Sequence, residues 1–423
     1  MIEPELHDKE LQKALAEKLA PFVGRTLGLA VSGGSDSRAL LELAADWARE
    51  TNGELLVATV DHGLRKEARN EAKWVGEICA QRGIPHDILV WDNWDGQGNL
   101  QAQARRARYH LIAEWAVAGG VATVALGHTA DDVAETFLMR LARSSGVDGL
   151  ARMRSEFERE GMLFTRPLLS MRRESLRMFL RERGATWVED PSNQDSRFER
   201  VKMRSVLREL EACGLETKKI TQVAENLKQA SIALKTYAAK EAEAAMKVED
   251  GDALLDWEQL KKMPEDIQRR LLIGALSWVS PSEYSPRSRA LTQVFAQLTD
   301  QGTSTLSGCI LTLKSNEIRI FRELSAVSEP VETHGSAAFD WDNRWHISGG
   351  FPEHARVGAL GEQGLAACPE WRASGRKRQS LLSSPSVWVG AELVAAPLAK
   401  KHKYLVATPL RDKEDLIRIL LSH

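Results

Sequence analysis

The stretch that most constrains the fold is Gly28 to Ser37, a short apolar run that ends in a loop of serines and glycines. A helix-compatible run, Arg38 to Arg49, follows it directly. This order of strand, tight loop and helix builds an anion site, because glycines let the backbone approach a phosphate and the N–H groups of the loop point at it. The carboxylate of Asp36 would repel a phosphate unless a cation lay between them. We therefore predict that Asp36 is a ligand of Mg²⁺.

The alternative interpretation is an ordinary strand-to-helix turn with Ser and Asp as helix caps. The loop is not a Walker A motif, and it lacks the G-x-G-x-x-G spacing of dinucleotide-binding folds. Its pattern Ser-Gly-Gly-x-Asp-Ser instead resembles the pyrophosphate loop (PP-loop) of N-type ATP pyrophosphatases. That resemblance implies cleavage of ATP to AMP and pyrophosphate, with ATP contacts from Ser32, Gly33, Gly34, Ser35, Asp36 and Ser37.

Strand and helix patterns alternate through the first half of the chain. Apolar runs predict strands over residues 27–31, 55–60, 87–91 and 121–126, and periodic runs predict helices over 10–22, 68–82, 100–118 and 130–142. Such alternation predicts an α/β fold, a doubly wound, Rossmann-like parallel sheet covered on both faces. Ligands bind at the carboxyl ends of its strands, where Ser32, Asp61 and Gly127 fall.

The second half of the chain does not continue the alternation of strands and helices. A long helix is predicted over residues 217–246 and a second helical region over 257–278, followed by strands over 303–306, 309–314 and 317–321. We therefore predict a catalytic domain over 1–214, a mainly helical substrate-binding domain over 215–326, and a small mixed α/β or mostly β domain over 337–423. Residues 325–336 have the composition of a linker.

A pair of acids follows the strand that ends at Leu126. Asp132 and Glu135 are three residues apart at the start of a helix and share a face, with His128 just before them. Helix capping is the simpler interpretation and suffices for Asp131. For Asp132 and Glu135 we favour function, because both would face the phosphate loop and could hold Mg²⁺ or a cationic substrate.

Three arginines lie on the helix predicted over residues 100–118. Arg105 and Arg108 share a face, whereas Arg106 points elsewhere and fits a solvated surface. The fork of donors on a guanidinium suits phosphate. We predict that Arg108 contacts a phosphate of the nucleotide.

The formal net charge is only −2, but two segments are basic. Residues 166–208 carry 11 Lys/Arg against 6 Asp/Glu, and residues 371–403 carry 7 against 1. Interleaved aromatics could stack unpaired bases while the cations attract a nucleic-acid backbone. A charged helix surface is the alternative. The predicted nucleic-acid contacts are Arg200, Arg204, Arg376, Lys377 and Arg378, which become tRNA contacts under the family resemblance described below.

The four cysteines are widely spaced and form no C-x-x-C pair, which favours reduced thiols and a cytoplasmic location. No apolar run approaches the roughly 18 residues that span a bilayer. The charged N-terminus is unlike a signal peptide. We therefore expect no membrane partner.

Several stretches together resemble the tRNA(Ile)-lysidine synthetase family. They are residues 32–37, 60–65, 99–109, 127–136, 148–150 and 190–204, with a similarity to the family's C-terminal tRNA-binding domain at 372–381. Ser144 stands where that family usually has glycine.

This resemblance implies a two-step reaction on an isoleucine tRNA with a CAU anticodon. The wobble cytidine would be adenylated on its C2 oxygen by ATP, and the ε-amine of free L-lysine would then displace AMP from C2. Asp132 and Glu135 would bind the lysine ammonium groups, one of them helping to deprotonate the amine. Arg108 would steady the adenylate, and His62 and His128 would join the ATP site.

Three rival functions differ from this one in identifiable ways. A tRNA thiolase of the same superfamily needs well-placed thiols, which isolated cysteines do not supply. An ATP-dependent ligase or amidotransferase acting on a small molecule would not need the basic C-terminal segment. A non-catalytic tRNA-binding protein would not need Asp36, Asp132 and Glu135 together.

Overall fold

The computed structural model describes residues 8–63, 67–92, 94, 98–151, 153–189, 199–281 and 286–422. Residues 64–65 and 190–198, which contribute to the family resemblance, lie outside these ranges. The chain forms two compact units, Met1–Ala230 and Ser231–His423. The long helix predicted over 217–246 crosses their boundary as Thr217–Ala245.

The first unit contains a six-stranded sheet covered by helices. Its strands are β1 Leu27–Ala30, β2 Leu55–Asp61, β3 His86–Val90, β4 Thr123–Leu126, β5 Glu156–Arg159 and β6 Met162–Thr165. Its helices are α1 Asp8–Leu19, α2 Ser35–Thr51, α3 Ala68–Gln81, α4 Leu100–Ala118, α5 Ala130–Leu141, α6 Val147–Leu150, α7 Arg173–Glu182 and α8 Glu199–Ala212, followed by α9 Thr217–Ala245. A short 3₁₀ turn, Ala20–Phe22, extends α1.

The strand order is β3-β2-β1-β4-β6-β5, and all neighbours are parallel except the β5–β6 pair. Chain order reverses between β1 and β4, so this is the topological switch point at which doubly wound sheets bind ligands. The predicted fold class is confirmed. One buried cluster contains Leu27 and Leu29 with α1 and α2, and a second contains Val124 and Phe164 with α4.

The β5–β6 hairpin was not predicted. Its first strand, Glu-Phe-Glu-Arg, has no apolar run, and it sits at the sheet edge where one face is exposed. Glu160 and Gly161 join the strands with φ values of +51° and +72°, as a two-residue hairpin turn requires.

The second unit holds three antiparallel sheets. The first has the order β7-β8-β11-β10-β9, the second β12-β15-β16-β17 and the third β13-β14-β18. The strands are β7 Met246–Glu249, β8 Asp252–Asp256, β9 Thr303–Leu306, β10 Cys309–Lys314, β11 Glu317–Arg322, β12 Val331–Glu332, β13 Ala338–Trp341, β14 Trp345–Gly349, β15 Ala355–Ala359, β16 Pro385–Val389, β17 Glu392–Ala395 and β18 Leu405–Pro409. The helices are α10 Trp257–Lys262, α11 Glu265–Val279, α12 Ser288–Gln301, α13 Gly361–Ala366, α14 Arg378–Leu382 and α15 Lys413–Ser422.

Three predicted strands, β9 to β11, are present, whereas β7 and β8 were not foreseen. The helical region predicted over 257–278 is two helices, because Pro264 cannot continue α10 and precedes α11. Helix α15 packs on α11 where Gly274 leaves space for Leu420. The C-terminal segment therefore shares a core with the preceding helices, and the division at residues 326–337 stays a prediction.

Among the described residues, the helices that reach the length of a bilayer span are all too polar to cross one.

Candidate active site

The PP-loop joins β1 to α2. Gly33 has a φ of +87°, and Gly34 is the N-cap of α2. The Ser37 hydroxyl accepts a hydrogen bond from the Ser32 backbone N–H at 3.2 Å and donates one to the Gly34 carbonyl at 3.1 Å. The loop is thereby folded around the first helical turn, whose N–H groups have no partner within the helix. Such a turn suits an anion.

Gly127 lies at the carboxyl end of β4, against the PP-loop. A Cβ there would lie 2.9 Å from both the Cα and the N of Ser37. Only glycine lets the end of β4 approach the first turn of α2 this closely. The contact brings the loop after β4, which carries the acid pair, directly beside the PP-loop.

Asp132 caps α5 with one carboxylate oxygen and leaves the other oxygen outside the cap. Its Oδ2 accepts hydrogen bonds from the backbone N and from Oγ1 of Thr129, both at 2.9 Å, so it forms the capping box of α5. Its Oδ1 lies 4.0 Å from Nη1 of Arg200. Burial tends to raise the pKa of Asp132, but the charge of Arg173 leads the opposing contributions and the pKa is lowered. The carboxylate is therefore ionised.

Arg173, at the start of α7, contacts three carboxylates. Its Nε is 2.8 Å from Asp36 Oδ2, its Nη1 is 3.1 Å from Glu135 Oε1, and its Nη2 is 3.4 Å from Asp132 Oδ2. Burial opposes the charged form of Arg173, but the three carboxylates outweigh it and raise its pKa. One guanidinium therefore joins the PP-loop to the acid pair.

Glu135 is completely buried. Its Oε1 accepts hydrogen bonds from Arg173 and, at 2.8 Å, from Nε of Arg204, whereas its buried Oε2 has no hydrogen-bond partner among the residues that the structure describes. Arg200 and Arg204, predicted as tRNA contacts, thus lie on α8 beside the acid pair. A tRNA contact by either residue stays a prediction.

Several arginines lie near His62 and His128. Burial, and next the charge of Arg108, lowers the pKa of His62, so Arg108 lies near the end of β2. Burial lowers the pKa of His128 to about 3, and the nearby Arg166, Arg200 and Arg105 add to that effect. Both histidines are neutral near pH 7, and the buried Nδ1 of each has no hydrogen-bond partner in the part of the chain that the structure describes. The site therefore has an acidic half and a basic half.

The metal prediction concerns Asp36 alone. Its Oδ1 accepts a hydrogen bond from Ser35 Oγ at 3.1 Å, and Oδ2 is paired with Arg173. Burial raises the pKa of Asp36 and outweighs the effect of Arg173. No cluster of three metal-ligating side chains occurs in the part of the chain that the structure describes. One carboxylate fits a Mg²⁺ ion that takes most of its ligands from phosphates and water.

The three predicted tRNA contacts of the second unit differ in their surroundings. Arg376 is 2.8 Å from Asp250 Oδ1 and donates to the Leu398 carbonyl at 3.0 Å. Arg378 is paired with Glu362. Lys377, between them, is exposed. Its ammonium is the best placed of the three to meet a phosphate.

The cysteines do not form a sulfur-transfer site. All four are free, and three are buried. Burial raises the pKa of Cys79 to about 11 and that of Cys309 to about 12, which keeps both protonated. Thiol chemistry requires a thiolate. This disfavours the thiolase alternative.

Two contributions to the site, and one backbone conformation in the first unit, were not predicted. Arg173 is adjacent to Arg172 in a basic run, and nothing in the spacing distinguishes the two. Asp131 was assigned to capping α5, yet its Oδ2 also accepts a hydrogen bond from the Arg173 backbone N at 2.7 Å and so fixes the start of α7. Ser144 has a φ of +54°, a backbone conformation that favours the glycine usual at this position in the family it resembles.

Comparison with known proteins identifies the family of the chain. A family model described as the PP-loop domain matches residues 7–210. A tRNA(Ile)-lysidine synthase from Ruegeria pomeroyi is 44% identical over 399 residues, which are 94% of each chain. Proteins of the same name from Wolbachia pipientis and Bradyrhizobium sp. are 34% and 36% identical, covering 77% and 73% of this chain and 77% and 94% of theirs. The chain therefore belongs to the tRNA(Ile)-lysidine synthase family.

Proposed function

We propose that the protein is an ATP-dependent ligase that joins free L-lysine to C2 of the wobble cytidine in an isoleucine tRNA with a CAU anticodon. The observation that carries this proposal is the junction at Arg173, where an anion-binding loop meets two buried acids. An ATP-cleaving loop and a site for an ammonium group are the two parts that such a ligation requires.

The first step is adenylation of the base. The backbone N–H groups at the start of α2, with Ser32, Ser35 and Ser37, bind the leaving pyrophosphate. Asp36 would hold Mg²⁺, which would neutralise charge on the phosphates. The cytosine C2 oxygen attacks the α-phosphorus, and Arg108, on α4 near His62, stabilises the charge that develops there. His128 is neutral near pH 7 and serves as a hydrogen-bonding group rather than a cation.

The second step is attack by the lysine ε-amine on C2 with loss of AMP. Free lysine is cationic at neutral pH, so the ε-ammonium must first lose a proton. Asp132 and Glu135 bind ammonium groups, and Oδ1 of Asp132, which takes no part in the cap of α5, accepts that proton. The positive charge of Arg108, Arg166 and Arg200 suits the adenylate on the other side of C2.

The tRNA must present its wobble base unstacked, because Asp132 and Glu135 are buried at the start of α5, just after β4. Arg200 and Arg204 lie beside these acids and would meet the anticodon loop. Arg376, Lys377 and Arg378 would contact the sugar–phosphate backbone elsewhere on the tRNA.

A labelled-lysine assay tests the proposal. The protein is incubated with ATP, magnesium, radiolabelled L-lysine and an isoleucine tRNA with a CAU anticodon. Label is expected in the tRNA only when all components are present, and not in a tRNA whose wobble base is uridine. Absence of label with correctly folded protein would refute the proposal, and sulfur incorporation from a sulfide donor would support the thiolase instead.

A further inference from the structure

The acid pair is inaccessible to an incoming ammonium in the described arrangement. The Glu135 side chain has no exposed surface, and that of Asp132 is only 9% exposed. The Arg173 guanidinium contacts both acids, and Arg204 donates to the same oxygen of Glu135, Oε1. A substrate cation can therefore reach Glu135 only if one of these arginines moves.

Glu135 also has an unused acceptor. Its Oε2 is buried and has no hydrogen-bond partner within the described ranges of the chain, although Oε1 accepts from two guanidiniums. A buried carboxylate oxygen without a partner is costly. An ammonium with three donors would satisfy it.

Arg173 has an alternative anionic partner within reach. Its Nε already contacts Asp36 in the first turn of α2, which is the turn that would bind the phosphates. Arg177, one helical turn further along α7, approaches the same turn, with its Nε 3.4 Å from Ser35 Oγ. Helix α7 thus directs two cations at the phosphate site, and a polyphosphate there would attract the Arg173 guanidinium.

We infer that Arg173 is a positioning residue that makes lysine binding depend on ATP. In the described arrangement its guanidinium fills the place of the substrate ammonium between Asp132 and Glu135. A polyphosphate at the PP-loop draws it toward α2 and opens the acid pair, so that lysine binds after ATP. This inference rests on the proposed function and adds the order in which its two small substrates bind.

Binding of labelled L-lysine by equilibrium dialysis tests the inference, with and without α,β-methylene ATP, whose α–β bond is not cleaved. Wild-type protein should bind lysine at least about fivefold more tightly with the analogue, as coupling between two sites typically gives. Arg173→Met should bind lysine without the analogue, with a ratio of affinities below about twofold. The matched control is Arg181→Met, which removes an exposed cation of the same helix that pairs with Glu174 rather than with either acid or the PP-loop, and it should keep the wild-type ratio.

Two results would overturn the inference: equal lysine affinity of the wild-type protein with and without the analogue, or full coupling in Arg173→Met. The wild-type comparison needs no variant, so it decides even if Arg173→Met does not fold. Arg173→Lys provides a second variant, because a single ammonium cannot bridge three carboxylates and the coupling should fall below that of wild type. If wild-type protein ligates lysine to tRNA but shows no coupling, only this inference fails. If it neither binds nor ligates lysine, the proposed function fails.

Discussion

Asp132 caps its own helix through Thr129: one carboxylate oxygen, Oδ2, accepts both the backbone N–H and the hydroxyl of Thr129 at 2.9 Å. The other oxygen is left to face Arg200 across 4.0 Å. One side chain thus fixes the start of α5 and offers an acceptor to the site. Because the cap of α5 and the proposed proton transfer use different oxygens of Asp132, a substitution can remove the second role and keep the first.

Asp132→Asn should abolish lysine incorporation and leave tRNA binding intact. The asparagine oxygen still accepts the Thr129 hydrogen bonds, so the cap is largely kept, but the side chain no longer carries a charge or accepts a proton. Loss of general-base catalysis predicts a decrease of about 10²–10⁴-fold in turnover. Labelled-lysine incorporation and a filter-binding Kd for tRNA measure the two properties.

Asp131→Asn is the control for that variant. Asp131 is the adjacent acid and bonds the Arg173 backbone, but it faces no proposed substrate. It should retain turnover within about tenfold of wild type. An Asp132→Asn protein that lost tRNA binding and activity equally, or an equally inactive Asp131→Asn protein, would assign Asp132 a structural role.

Gly127→Ala should weaken ATP binding and destabilise the fold. The added Cβ would lie 2.9 Å from the Ser37 backbone, so the β4 end or the PP-loop must shift. Overpacking of this kind costs about 1–3 kcal/mol. The free energy of unfolding should fall by that amount, and KM for ATP should rise more than KM for lysine.

Gly146→Ala is the matched glycine variant. Gly146 has an ordinary φ of −76°, and a Cβ there would meet nothing within 4 Å. Its free energy of unfolding should stay within about 0.5 kcal/mol of wild type. If both variants behave alike, the close approach of Gly127 to Ser37 is not important for the PP-loop.

His128 should make the protein less stable as the pH falls below neutral. Its pKa is about 3 in the folded chain, below the ordinary value of 6.5. The unfolded chain therefore binds a proton that the folded chain does not, and stability is fully present above about pH 6.5 and lost toward pH 3 at up to about 1.4 kcal/mol per pH unit. His128→Gln should reduce this slope in urea unfolding measured between about pH 5 and 7.

His334→Gln provides the control for the histidine experiment. The His334 side chain is 79% exposed, and its replacement should leave the pH dependence of unfolding unchanged. His62, whose pKa is also lowered, remains in both variants and keeps part of the slope. Equal slopes for wild type and His128→Gln would contradict the burial of a neutral His128.

The parts of the site that the sequence predicts are those that neighbouring residues determine. The loop of Ser32 to Ser37 follows an apolar strand, and Asp132 and Glu135 begin a helix after another strand. Parallel-sheet topology then brings the strand ends together. The fold class and the family resemblance are confirmed for this reason, whereas the roles assigned to individual residues stay predictions.

The contacts that sequence could not predict join residues far apart in the chain. Arg173 and Asp36 are separated by 137 positions, and Arg173 and Glu135 by 38. No local periodicity reports such a pair, and Arg173 lies in a basic run in which every arginine suits a solvated surface equally well. Only the packing of α7 against the N-terminus of α2 selects it.

Replacing Arg376, Lys377 and Arg378 together with alanine should weaken tRNA binding and reduce its salt dependence. Each lost phosphate contact lowers the slope of log K against log salt by about one. Arg376 and Arg378 already pair with Asp250 and Glu362, so we expect a decrease nearer one than three, most of it reproduced by Lys377→Ala alone. Filter binding of tRNA over a range of salt concentrations measures the slope.

The control is a triple alanine variant of Lys9, Lys13 and Lys18, which are exposed cations of α1, and it should leave the salt dependence of tRNA binding unchanged. If the slope is unaltered both in Lys377→Ala and in the alanine variant of Arg376, Lys377 and Arg378, this segment does not contact tRNA.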